Sequence, residues 1–116
     1  MSARRMFSRA VTDSDEFIEL SAPAQALYLH LCLSADDDGF TNQINISILK
    51  AKATPNDLDA LIKNGFIIRF NSGVAVITHW HVNNSLRKDR YNPTSFEEEL
   101  AELYMVNSVY HLNILT

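Results

Sequence analysis

Cysteine is nearly missing from this chain: Cys32 is the only one. No intrachain disulfide can form, so the fold must rest on packing, and a reducing, cytoplasmic home is the expectation. Glycine and proline are scarce, with three of each. Each glycine falls at an apparent turn, which leaves none for a phosphate-cradling loop, and neither a nucleophile elbow nor a zinc-protease motif occurs. An enzyme is not expected. No run of about 18 apolar residues is present, so no helical membrane span is expected. The opening stretch MSARRMFSRAVTDSDEF has arginines but no apolar centre, and does not read as a secretion signal. Asp36-Asp37-Asp38-Gly39 resembles part of a calcium loop, but the register puts Asn45 where a bidentate glutamate is required. Calcium is therefore excluded, and no cofactor or metal is expected.

What is present is charge in blocks. The net charge is −4, which taken alone argues against nucleic acid. Residues 1–10 carry +3, residues 11–38 carry −7, residues 39–94 carry +4, and the remainder −4. A basic middle between acidic ends can present one positive face on an acidic protein; scattered solvated charge is the competing reading.

The length of 116 residues suits a single domain, with a core over about 14–94 and an extension over about 95–116. Ser14 can cap a short helix through DSDEFIEL, and Ser21 the next, with Pro23 in its first turn. Ala24, Leu27, Tyr28, Leu31 and Ala35 recur at helical spacing, and Gly39 ends that run. QINISILKA (43–51) fits either a strand or a helix; the strong helix start that follows, Thr54-Pro55 with Asp57, favours helix. Leu58, Leu61 and Ile62 make its buried stripe and Asn64-Gly65 its stop. FIIRF and VAVITHW around Asn71-Ser72-Gly73 read as a β-hairpin. NNSLRKDRYNPT reads as an exposed basic loop. Ser95 and Glu98 have capping-box spacing, so a final helix carrying Phe96, Leu100, Leu103 and Tyr104 is expected. The stretch after Asn107 has no clear pattern.

Three helices followed by a hairpin is the order of a winged helix-turn-helix. The expected fold class is α+β, mainly α, with a two-stranded wing and additional N- and C-terminal helices. RRMFSRAVTDSDEFIEL, AQALYLHLCLSADDDGF, DLDALIKNGFIIRFNSGVAVITHW and NNSLRKDRYNPTSFEEE resemble the N-terminal domain of phage replisome organiser proteins, relatives of DnaD-like primosome components. The resemblance implies a winged-helix module that binds DNA, origin or single-stranded, or assembles proteins during replication initiation in a bacterial cytoplasm. Helicase-loading proteins and further copies of the chain would be partners, with no membrane involved. Family members continue into a second domain, and this chain stops at Thr116, so loading activity is not carried over. Lys52 stands where the turn would be expected to use glycine.

The candidate DNA contacts follow. Thr54, Asn56 and Lys63 lie on the helix over about 55–64, where asparagine can read adenine and lysine can meet guanine or phosphate; Asp57 and Asp59 oppose it, and a packing helix in an assembly domain is the alternative. Lys50, Lys52, Arg69 and the wing tip Asn71-Ser72 can meet phosphates, or stand solvated. Arg87, Lys88, Arg90 and Tyr91 combine cations with an aromatic able to stack on a base; Arg90 and Tyr91 packing back onto the acidic first helices to hold the loop in place is the other reading. Arg4, Arg5 and Arg9 can form a minor-groove arm or be loose terminal charge. His79-Trp80-His81 would put two histidines on one face of a strand, without a third ligand nearby, so zinc is not expected; Trp80 is expected to anchor the wing. A small transcriptional regulator is a third functional reading.

Overall fold

Ser21 starts the central helix, its hydroxyl accepting the N–H of Ala24 with Pro23 in the first turn. A computed structural model of the chain describes residues 4–84 and 90–113. In it this helix, α3, runs Ala22–Ser34. It is preceded by two single-turn helices, α1 (Arg9–Thr12) and α2 (Asp15–Ile18), capped by Ser8 and Ser14. The stripe Ala24, Leu27, Tyr28, Leu31 and Ala35 is buried as its spacing requires. Phe17, Tyr28 and Phe66 meet edge to face with centroids 5.4–5.7 Å apart, tying α2, α3 and the later hairpin into one core. Cys32 is buried beside Tyr28, and burial pushes its thiol up to about 12, so it is protonated at neutral pH and serves as a small apolar group.

The ambiguous segment is helical: α4 spans Ile44–Ala51 and α5 spans Pro55–Lys63. The strand β2 (Ile67–Arg69) turns at Gly73, φ 90°, into β3 (Ala75–Ile77). The β2–β3 hairpin is joined by a third strand. Phe40–Thr41 (β1) pairs antiparallel with β3, giving the order β1-β3-β2. Two residues carry too little pattern to announce a strand.

The chain is thus an α+β domain, mainly helical, with small antiparallel sheets. Two expectations are corrected. His79-Trp80-His81 is not a strand: β3 ends at Ile77 and α6 begins at Trp80 (Trp80–Asn83). The final helix is one turn, α7 (Glu97–Leu100), without a side-chain cap; the expected Ser95–Glu98 capping box is not formed. Leu103 and Tyr104 belong instead to β4 (Leu103–Val106), which pairs with β5 (Val109–Leu112). The extension is therefore a hairpin and not a helix. Asn107 and Ser108 both have positive φ, the turn that matches strand twist in a two-residue hairpin loop.

The acidic turn after α3 is the junction of the molecule. Gly39 has φ 92°, and a Cβ there would lie 2.6 Å from Trp80 Cγ, so only glycine lets the indole pack against this turn. Trp80 is buried and its indole N–H donates to the Asp37 carbonyl at 2.9 Å. Asp36 accepts the N–H groups of Asp38 and Phe40 and the hydroxyl of Thr94. Asp38 accepts Tyr91 Oη–H and Thr94 N–H, while its carbonyl accepts Tyr110 Oη–H. Segment 91–94 is consequently bound down, and of the expected exposed basic loop Asn83 and Thr94 are buried.

Candidate nucleic-acid interface

Helix α4 ends in a Schellman motif. The N–H of Lys52 reaches the carbonyl of Leu49, and that of Ala53 the carbonyl of Ile48. Lys52 occupies the left-handed position, φ 56° and ψ 35°, which glycine usually fills. The turn has the geometry expected of glycine there, held by a lysine whose side chain is exposed. Only residues 52–54 separate the two helices. Thr54 then opens α5, its N–H donating to Asp57 Oδ2 at 2.9 Å. Ser21 Oγ donates to Asp57 Oδ1 at 3.1 Å, fixing the start of α5 to the start of α3.

This arrangement leaves Thr54, Pro55, Asn56, Asp59 and Lys63 exposed along α5, while Leu58 and Leu61 are buried and Ile62 half-buried. The helix is about 14 Å long at 1.5 Å per residue. Lys50 and Lys52 lie exposed before its N-terminus, Lys63 in its last turn, and Arg69 lines a shallow groove together with Ile62. None of these four cations has an ion pair among the described residues. Asp57, half-buried and taken up by Thr54 and Ser21, is largely withdrawn from the exposed face. Asp59 remains there.

Other candidates are placed differently. Arg5 is an internal strut: its guanidinium lies 3.3 Å from Asp37 Oδ1, donates to the Ala35 carbonyl at 2.7 Å and stacks 5.2 Å from the Trp80 ring. It is not an arm free to enter a groove. Arg9 pairs with Asp13 on the surface at 3.1 Å, and Arg4 is exposed. Asn71 is exposed at the tip of the β2–β3 hairpin, but Ser72 Oγ donates to Glu99 Oε2 at 2.6 Å. That contact brings the acidic α7 against the tip and opposes phosphate there. Arg90 is exposed, whereas Tyr91 is committed through its hydroxyl to Asp38, and burial together with that carboxylate pushes its phenol up to about 12. Arg87 and Lys88 lie outside the described residues. The residues therefore brought together are Lys50, Lys52, Thr54, Asn56, Lys63 and Arg69.

The histidines also have defined roles. Tyr110 spends its only hydroxyl proton on the Asp38 carbonyl, so His81 Nε2, 2.9 Å away, must carry the hydrogen it shares with Tyr110. Burial lowers the pKa of His81 below the ordinary 6.5, against a smaller opposing effect of Asp38. Burial, then His111, lowers that of His79. The folded chain binds these protons more weakly than the unfolded one, so their stabilisation is complete above about pH 6.5 and is lost as pH falls below it. The melting temperature should fall between about pH 7.5 and 5.5, and His79→Gln/His81→Gln should flatten that fall. An unchanged slope in the double variant, followed by circular dichroism, would contradict this assignment.

Compared with known proteins, the chain matches no family model, no curated protein and no solved structure.

Proposed function

We propose that this chain is a winged helix-turn-helix DNA-binding module, with α4 and α5 as the helix pair and β2–β3 as the wing. The observation that carries the reading is a short, exposed α5 entered by a three-residue turn, with four cations around it that form no ion pair among the described residues. Lys50 and Lys52 would meet phosphates on one side and Lys63 and Arg69 on the other, with Asn56 placed to read a base edge. Arg87, Lys88 and Arg90 join this set on the strength of sequence. A role in phage replication initiation, in the host cytoplasm alongside helicase-loading proteins, rests on the sequence resemblance alone.

In a fluorescence anisotropy titration, Lys50→Glu/Lys52→Glu should weaken duplex binding about tenfold or more and reduce the salt slope by about 2. Unaltered affinity in that variant would remove the end of α4 and the turn into α5 as the contact. A second reading, an oligomerisation module, is favoured by Tyr104, Met105, Val106 and Leu112, large apolar side chains exposed on the C-terminal hairpin.

A further inference from the structure

A groove of about 550 Å³ lies between two strand edges and is unused by the reading above, except that both include Arg69. One wall is β2. Thr78 N–H bonds the carbonyl of Phe66, and Phe70 N–H that of Val74. Residues 66, 68 and 70 therefore face β3, and by alternation the backbone groups of Ile67 and Arg69 point away from it; Ile67 is covered, at 1% exposure, and Arg69 is exposed at the open edge. The other wall is β5. Tyr110 N–H leaves β4 to bond the Thr78 carbonyl, and Asn113 N–H bonds Glu102 on the β4 side. The same alternation turns the N–H and C=O of Leu112 into the groove. At the base are Thr78 and His79, whose Oγ1 and Nδ1 are buried without a hydrogen-bond partner among the described residues. Such atoms are costly to leave unpaired. Half-buried Ile62, Ile68 and Val109 supply apolar wall. Arg69 supplies positive charge, and none of the described residues that line the groove is Asp or Glu.

Two facing edges whose outward backbone groups at Arg69 and Leu112 have no partner among the described residues, apolar walls, and one cation with no carboxylate among the described lining residues suit a single kind of occupant. We propose that this groove binds an extended segment of a partner protein whose side chains alternate acidic and apolar. Main-chain hydrogen bonds to Arg69 on one edge and Leu112 on the other would add the segment as a strand. An acid on one of its faces would meet Arg69, while apolar side chains would cover Ile62 and Ile68. A basic segment would put like charges together. The inference does not depend on DNA binding, since the test contains no nucleic acid.

The test is an amide-resolved NMR titration of the ¹⁵N-labelled chain with the acetylated, amidated heptapeptide Glu-Val-Glu-Ile-Glu-Val-Glu. The lysine-for-glutamate heptapeptide is the control. Amide shifts at Arg69 and Leu112 with slowed hydrogen exchange are expected for the acidic peptide. Arg69→Glu should weaken its binding about tenfold or more. Thr78→Val, with its fold checked by circular dichroism, should retain the preference for acid. No shifts up to about 2 mM peptide, a range that covers weak strand addition, would overturn the proposal. So would equal binding of the lysine peptide. Shifts at the same amides that appear without peptide as protein concentration rises would show a second copy in the groove, and would overturn it too.

Discussion

Trp80→Ala should lower unfolding stability by about 3–5 kcal/mol, the range for truncating a fully buried large aromatic. The effect is expected at the upper end because the indole does three things at once. It fills the space above Gly39, where no Cβ fits; it donates to the Asp37 carbonyl; and it supports the Arg5 guanidinium on its face. Truncation leaves a cavity and an unpaired buried carbonyl, and it frees Arg5, one of the ties between the N-terminal segment and the acidic turn. Trp80→Phe restores most of the volume but not the N–H, so it should cost much less, about 1–2 kcal/mol. Urea denaturation followed by circular dichroism separates the two variants; Trp80 is the only tryptophan, so tryptophan fluorescence cannot follow either. A loss under about 1 kcal/mol for Trp80→Ala would show that the turn and the N-terminal segment do not depend on it.

Asp38→Ala ranks second, at about 2–4 kcal/mol. Its carboxylate is the acceptor for Tyr91 Oη–H and for the N–H of buried Thr94, and nothing else within the described residues takes over the latter. Losing it should release segment 91–94 while leaving the helical core formed. Asp38→Asn keeps one acceptor oxygen and should lose less than Asp38→Ala. Equal losses for the two variants would mean that the carboxylate is not the tie, and hydrogen exchange at Thr94 would report the release directly.

Legibility in the sequence followed from how local each determinant is. The helix starts at Ser14, Ser21 and Thr54 depend on residues two or three positions apart, and all three could be read. So could the stop at Gly65 and the turn at Gly73, both with positive φ. The C-terminal hairpin was hidden because Phe96, Leu100, Leu103 and Tyr104 satisfy helical spacing by coincidence. The usable signal was Asn107-Ser108 between two runs with β-formers, Leu-Tyr-Met-Val and Val-Tyr-His-Leu. Long-range pairing was readable only in outline: Tyr91 packing back onto acidic residues was one of its two readings, but the partner, Asp38, was not foreseen. Arg5 sits some thirty positions from Asp37, and Tyr91 more than fifty from Asp38, so a terminal cation and a loop aromatic looked available for DNA when tertiary contacts engage them. The acidic turn looked like a solvated helix stop for the same reason. Its signal was three consecutive acids beside an aromatic in an otherwise apolar stretch.

The contact face of α5 is tested most directly by mapping amide shifts of the ¹⁵N-labelled chain on addition of a short duplex at low salt. The account predicts perturbations that run from Lys50 through Lys63 and include Arg69, fading as salt is raised. Perturbations confined to the C-terminal hairpin, or none on α5 at any salt, would contradict it.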